Sequence, residues 1–295
     1  MNGAPANAPA PAPARTTWVR VEPPRGLPAP DLRELWRSRE LVVLLALRDL
    51  RARYKQAALG VAWALIQPFA TLVVFGVLFG LLLGPRGLPT REGVPYAVST
   101  GVALVPWQLF ARALAASGDS LVANHALITK VYFPRLAAPV AAVLAALLDF
   151  SLAFAALLVL LAAYGVAPGP ACLTLPLFTL LAVASALAVS LWLSALNALY
   201  RDVRHALPFL AQLWMFATPV VYTTESVFGG RTSAWQVLYA MNPMAGVVEG
   251  FRWALLGGAA PPWEFLAASS LAVAILLVGG LFFFQRMERS FADLV

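Results

Sequence analysis

The chain has 295 residues, is 61% hydrophobic and only 12% charged, with a mean hydropathy of +0.77 and a formal net charge of +7. Soluble domains carry about twice that charged fraction, so the surplus apolar surface requires lipid and the composition is that of a multi-spanning membrane protein. One cysteine, Cys172, lies in an apolar run, which excludes an intramolecular disulfide framework and a cysteine-clustered metal site.

Residues 1–40 open with an Ala- and Pro-rich stretch lacking the apolar core of a signal peptide, and are expected to form a disordered cytoplasmic tail. A dense basic segment follows, with Arg48, Arg51, Arg53 and Lys55, and runs directly into 59–84, which holds no charged residue. Such a junction marks the cytoplasmic foot of a first spanning helix. Residues 41–57 read as an amphipathic helix, with Val43, Ala46, Leu47, Leu50 and Tyr54 on one face and Arg48, Arg51 and Lys55 on the other. It either lies in the interface plane with its cations on lipid phosphates or simply extends the first span into the cytoplasm. Within that span Gly76, Gly80 and Gly84 recur at four-residue spacing, which permits close helix packing.

A helix needs about 20 apolar residues to cross a bilayer. Five stretches satisfy this, roughly 60–84, 136–164, 171–199, 206–223 and 264–284, and a weaker sixth at 96–116 is interrupted by Pro106 and Arg112. Six spans within 58–285 put both termini on one side. Placing that side in the cytoplasm, with 286–295 as the C-terminal tail, assigns 17 of the 21 Lys and Arg to the inner face and leaves Arg86, Arg91, Arg231 and Arg252 outside. The basic charge therefore reflects topology and anionic headgroups, not nucleic acid.

Further along, 117–135 is too polar to span. Leu121, Val122, Leu127, Ile128, Val131 and Tyr132 recur at mostly helical spacing before Phe133-Pro134 ends the segment. A short helix lying across the cytoplasmic face is expected, its apolar stripe covered by a partner or by the protein's own helix ends. His125 has no ligand-type neighbour at metal spacing and reads as solvated or capping. Asp149 lies mid-span, where a carboxylate is expensive. It serves either as a hydrogen-bonded tie to a neighbouring helix or in transport, though no second acidic residue lies inside a span to relay protons.

The outer segment 223–263 is long and semi-hydrophobic. Asn242-Pro243 suits a helix start, and Glu249 and Arg252 are spaced to pair on one helix face. Two short re-entrant helices forming a gate would fit, as would a hairpin lying on the outer surface. Aromatic residues near the span ends, among them Trp107, Phe110, Phe216 and Tyr222, read as an interfacial belt or as the lining of a conduit. There is no phosphate-binding GxxxxGK[ST] loop. With only His125 and His205, both in inner loops, no nucleophilic triad is plausible. The chain is therefore expected not to be an enzyme and to bind no metal or cofactor; energy for uphill movement must enter through a partner or an ion gradient.

Four blocks, RDLRARYKQAALGVAWALIQPF, NHALITKVYFPR, LYRDVRHALPFLAQLWMFATPVVY and MNPMAGVVEGFRWALLG, appear in order across residues 48–257. Together they resemble the membrane subunit of type-2 ABC exporters, specifically those that export O-antigen and related cell-surface polysaccharides. The resemblance implies an all-α, six-span permease of the cytoplasmic (inner) membrane that dimerises with itself and pairs with two copies of a separate ATPase, where ATP and Mg would bind. It implies an interface helix carrying Arg48, Arg51, Arg53 and Lys55, and re-entrant gate helices carrying Asn242, Pro243, Glu249 and Arg252. It also implies ATPase coupling through Asn124, Leu127, Ile128, Thr129, Lys130, Val131, Tyr132, Phe133 and Arg135, with Arg201 and Asp202 in the second inner loop. The family's aromatic conduit favours a lining role for some of Trp107, Phe110, Phe216 and Tyr222 without identifying which.

The substrate expected is a lipid-linked polysaccharide. The same fold with another cargo, such as teichoic acid or a small hydrophobic molecule, stays open. A membrane glycosyltransferase is disfavoured because the acidic residues are scattered singly, and a secondary carrier because no inverted repeat is evident. Whether Arg48 and Arg51 only anchor lipid phosphates or also receive the pyrophosphate of an incoming glycan lipid stays open as well.

Overall fold

The computed structural model describes residues 32–54, 94–130, 134–200, 202–228, 234–258 and 260–294, with scattered positions between 62 and 77. The tail before residue 32, the row Gly76, Gly80 and Gly84, and Lys55, Val131, Tyr132, Phe133, Arg201, Arg86, Arg91 and Arg231 lie outside the described residues. Among the described residues there are helices and turns but no strand. In chain order they are α1 (Leu32–Arg37), α2 (Arg39–Tyr54), α3 (Tyr96–Ala123), α4 (His125–Lys130) and α5 (Ala137–Ala163). A 3-10 turn (Pro170–Thr174) leads into α6 (Leu175–Leu199), and then come α7 (Val203–Phe216), α8 (Thr224–Phe228), α9 (Ala234–Ala240), α10 (Ala245–Leu256) and α11 (Trp263–Leu294).

Among the described residues, four helical segments are long and apolar enough to cross a membrane: α3, α5, α6 with its leading turn, and α11 as far as Glu288. The outward surfaces of α5, α6 and α11 are apolar, with Leu152, Val159, Leu177, Leu180, Ile275 and Val278 exposed. In water such a surface would drive association; in a bilayer it faces acyl chains.

α3 is the central post, buried along most of its length against α5, α6, α7 and α10. Pro106 sits inside it without ending it, as is tolerated in spanning helices, where neighbours re-satisfy the freed backbone groups. Its core partners include Phe150, Phe178, Met244 and Phe251. α5, rich in Ala and Leu, is a strong helix former. It ends in a Schellman turn, where the amide of Val166 donates to Leu161 O at 2.9 Å and that of Gly165 to Ala162 O at 3.1 Å. Gly165 adopts φ +71°, which only glycine enters without strain.

Three expectations need correction. α3 continues to Ala123, so 117–123 is helix and not loop; the separate short helix of this segment is α4 alone. Next, 206–223 is not one helix. α7 stops at Phe216, because Pro219 disfavours helical geometry in the residue before it, and its 14 residues reach about 21 Å, short of a roughly 30 Å hydrocarbon core. Finally, the buried face of α2 is Val42, Leu45 and Ala46, packed on Ala137, Ala141 and Ala145 of α5, while Val43 is 50% exposed. The four-residue spacing of those alanines leaves a shallow groove for α2.

Candidate coupling and gate sites

At one end of the bundle, which carries Arg48, Arg135 and Arg204 and is called here the basic end, α3 hands over to α4 at Asn124. Its side-chain amide donates to Ser120 O at 2.8 Å, and its backbone carbonyl accepts from Leu127 N–H at 2.9 Å. Arg48 of α2 reaches across and donates to Asn124 Oδ1 at 2.5 Å. Leu127 packs with the α2–α5 cluster, so part of the stripe on α4 is covered by the protein itself. The interface helix and the helix expected to couple are thus joined by a charge-assisted hydrogen bond and by apolar contact.

Ile128, Thr129 and Lys130 complete α4. Asp202 immediately precedes α7, where its carbonyl accepts the amides of His205 and Ala206 at 3.1 and 3.2 Å. Arg135 just precedes α5. Its guanidinium donates to Glu288 O, and Nε lies 4.0 Å from the Glu288 carboxylate, tying the start of α5 to the end of α11. Arg204 pairs with Asp119 at 3.6 Å. The polar seam between α3 and α6 is closed by Asn197, whose amide donates to Gly118 O at 3.0 Å.

Deeper in the bundle, Asp149 of α5 is fully buried. Arg53 donates to Oδ2, Tyr54 donates to Oδ1 at 2.6 Å, and Arg112 of α3 lies 3.7 Å from Oδ2. Arg112 also donates to Gln67 Oε1 at 2.9 Å. A buried carboxylate is tolerable only when paired and hydrogen-bonded, and here three side chains from two other helices meet that need. The tie-role reading of Asp149 is the one the contacts support. Burial, with the hydrogen bond to Asp149 next, pushes the Tyr54 hydroxyl up to about 12. Of the four cations on the basic segment, Arg48 and Arg53 are thus committed to partners within the protein, Arg48 also pairing with Asp49 at 2.7 Å, while Arg51 is exposed.

At the opposite end, Asn242 organises the corner between α9 and α10. Its Oδ1 accepts from Trp214 Nε1 and from Met244 N–H, both at 3.1 Å, and its amide donates to Ala217 O and Thr218 Oγ1, both at 3.0 Å. All four of its hydrogen-bonding positions are used. It acts through an Asx turn, and α10 begins at Ala245. Pro243 O accepts from Ser185 of α6 at 3.1 Å. Ser269 of α11 lies 2.9 Å from both Ala240 O and Asn242 O and accepts the Gly246 amide. Gly246 is required there: a Cβ would sit 2.8 Å from Phe265 O.

Glu249 and Arg252 pair at 3.2 Å, both buried. Arg252 also donates to Val220 O at 2.9 Å and Tyr222 O at 3.1 Å, so α10 holds the irregular chain that follows α7. Tyr222 in turn donates to Phe216 O at 2.9 Å, and its oxygen lies 2.8 Å from the Tyr239 hydroxyl. Of the aromatic residues expected to line a conduit, Trp107 and Phe110 are core residues, 3% and 0% exposed, with Phe110 edge-on to Trp214 at 5.3 Å. Neither faces a lumen of this chain. Phe216 is 51% exposed. Among the described residues no cluster of His, Cys, Asp and Glu has metal-binding geometry.

Sequence reasoning missed Gln67, Ser185, Asn197 and Ser269, ordinary polar residues whose roles depend on what they meet, while Trp214, one of the aromatic residues near the span ends, proves to be a hydrogen-bond donor to Asn242. Arg112 and Asp149, by contrast, carried a signal: a lone cation and a lone anion in two apolar stretches are each other's natural partner.

Comparison with known proteins places this arrangement. Residues 40–256 match the ABC-2 type transporter family. Among relatives, the O-antigen export system permease protein RfbA of Myxococcus xanthus is 29% identical over 89% of this chain and 98% of its own length. Two proteins of the same name from Klebsiella pneumoniae are 28% and 26% identical, each over 87% of this chain and 95% of their own.

Proposed function

The chain belongs to the ABC-2 type transporter family, and from that premise we propose that it is the permease subunit of an ATP-driven exporter of a lipid-linked polysaccharide of the O-antigen type. The observation that carries this reading is the alignment, along 87–89% of the chain, with proteins named as O-antigen export permeases. Four apolar helices of spanning length give it a multi-pass membrane setting.

In this reading the basic end faces the cytoplasm, as the charge distribution of the sequence favours. The first span, and α7 together with the irregular 217–223 stretch that continues it, bring the spans to six, with both termini inside and the protein in the inner membrane. A separate ATPase binds ATP and Mg and docks against α4, and the Arg48–Asn124 bond passes its movement to α2. A second copy of the chain completes the conduit. α7 supports that step: Leu207 is its only buried residue, and Phe209, Leu213 and Phe216 are more than half exposed. α9 and α10, cornered at Asn242 and locked by Glu249–Arg252, act as the outer gate. The chain itself carries out no chemistry on the glycan.

The test is genetic and biochemical together. Cells deleted for this chain should lose surface polysaccharide and accumulate it on its lipid inside, and the full chain co-expressed with its ATPase should restore export. Normal surface polysaccharide in the deletion strain would overturn the reading.

A further inference from the structure

The end of the bundle opposite Asn124 contains a cavity of about 510 Å³, between α8, α9, α10 and the 260–265 stretch that opens α11. That volume falls within the roughly 300–1,000 Å³ of small-molecule sites. Its lining is chemically mixed. Glu225, Glu249 and Glu264 bring carboxylates and Gln236 a carboxamide, while Trp263 and Phe228 bring aromatic rings. Trp263 is 68% exposed, so its ring is available to a ligand.

Three classes of occupant can be weighed on this chemistry. An acyl chain would find the carboxylates a desolvation cost. A phosphate headgroup would meet like charge from Glu225 and Glu264. A divalent cation lacks a ligand cluster among the described residues, and Glu249 is already engaged by Arg252 at 3.2 Å. A neutral polyhydroxylated ring meets none of these obstacles. Its hydroxyls donate charge-assisted hydrogen bonds to the Glu264 carboxylate, and its C–H face lies on the Trp263 ring.

We infer that this cavity is a glycan-binding site that holds a sugar segment of the chain leaving the gate. The inference rests on the polysaccharide-export reading above. Because Glu249 lines the cavity and also pairs with the arginine that holds residues 220–222, occupancy of the site is connected directly to the gate corner.

The test uses the full chain with its ATPase partner in lipid nanodiscs. The probe is the host cell's own surface polysaccharide, freed from its lipid by mild acid and measured by saturation-transfer NMR and thermophoresis. Wild type should bind it. Trp263→Ala and Glu264→Gln should each weaken binding about fivefold, Trp263→Phe should recover most of the loss, and Tyr164→Ala, an exposed aromatic outside the cavity, should bind like wild type. Absence of wild-type binding, or unchanged binding in both cavity variants, overturns the site. Surface polysaccharide in a strain deleted for the chain is scored separately: its loss there together with unchanged binding in the variants refutes the site alone, whereas its persistence refutes the export reading itself.

Discussion

Tyr54, the last residue of α2, donates its hydroxyl to the carboxylate of Asp149, 95 positions later on α5, at 2.6 Å. With Arg53 on the other carboxylate oxygen and Arg112 nearby, α2 is fastened into the bundle at its C-terminal end. Arg48–Asn124 fastens it at its middle. A helix held at two points transmits displacement as a unit instead of floating on the membrane surface.

Breaking the deeper fastening by halves should cost stability. Asp149→Leu leaves Arg53 and Arg112, both partly exposed, without their shared carboxylate and is expected to lower stability by about 1–3 kcal/mol. Tyr54→Phe removes one hydrogen bond and should cost about 1 kcal/mol. The pair Asp149→Leu with Arg112→Met should recover much of the first loss. Thermal unfolding in detergent reads all three, and a double variant no better than Asp149→Leu would refute the pairing.

The Arg48–Asn124 bond makes a separate prediction about coupling. Asn124→Ala and Arg48→Ala each remove a charge-assisted contact of about 1.5–3 kcal/mol. Export should fall about tenfold, while ATP hydrolysis by the complex continues and the chain accumulates in the membrane at normal levels. Export at the wild-type rate in both variants would show that α2 and α4 move independently.

Arg135→Glu should act on assembly of the bundle, since Arg135 joins α5 to α11 at Glu288. The variant is expected to accumulate poorly, and Glu288→Arg in the same chain should restore part of its abundance through the reversed pair. A stable, abundant Arg135→Glu protein that fails only in ATPase binding would return Arg135 to a docking role.

At the gate corner, Gly246→Ala places a methyl 2.8 Å from the Phe265 carbonyl. Backbone cannot rotate away as a side chain can, so α10 must shift from α11 at a cost of about 1–3 kcal/mol. Gly169→Ala, with no atom within 4 Å of the new Cβ and no positive φ, should be neutral. Equal melting temperatures for the two variants would contradict the close approach.

Glu249→Ala should leave Arg252 buried with only carbonyl partners, at a cost of about 3–5 kcal/mol. The predicted effect is local: faster hydrogen exchange across 217–223, with α3 and α5 unchanged. Unaltered exchange there would mean that Arg252 does not hold that segment.

Much of this architecture could be read from residue order. Apolar length located α5, α6 and α11, whereas α3, interrupted by Pro106 and Arg112, needed the charge distribution to be counted; the three-residue spacing of Glu249 and Arg252 anticipated their pair, and Asn242-Pro243 marked the approach to a helix that begins later, at Ala245. What could not be read depended on encounters between distant segments. The periodicity of α2 does not say which face meets α5; the alanines at 137, 141 and 145 select Val42, Leu45 and Ala46. Arg135 has the charge of a docking residue, and only the arrival of α11 shows that it is occupied. Trp107 and Phe110 have the composition of a conduit lining, yet Trp214 covers Phe110 from α7. The stop at Phe216, in contrast, was signalled by Pro219 and obscured by the apolar run around it.

The double fastening of α2 also sets a timetable for the chain's own manufacture. Asn124 leaves the ribosome 76 residues after Arg48, and Asp149 follows Tyr54 by 95. At roughly 5–20 residues per second, α2 waits about 5–20 s, its arginines near the membrane surface and the groove on α5 not yet made. In the orientation proposed above, the cations of the N-terminal segment would in that interval be open to the insertion machinery as a topology signal. Once Asp149 arrives, Arg53 gains its carboxylate partner and α2 is fastened to α5.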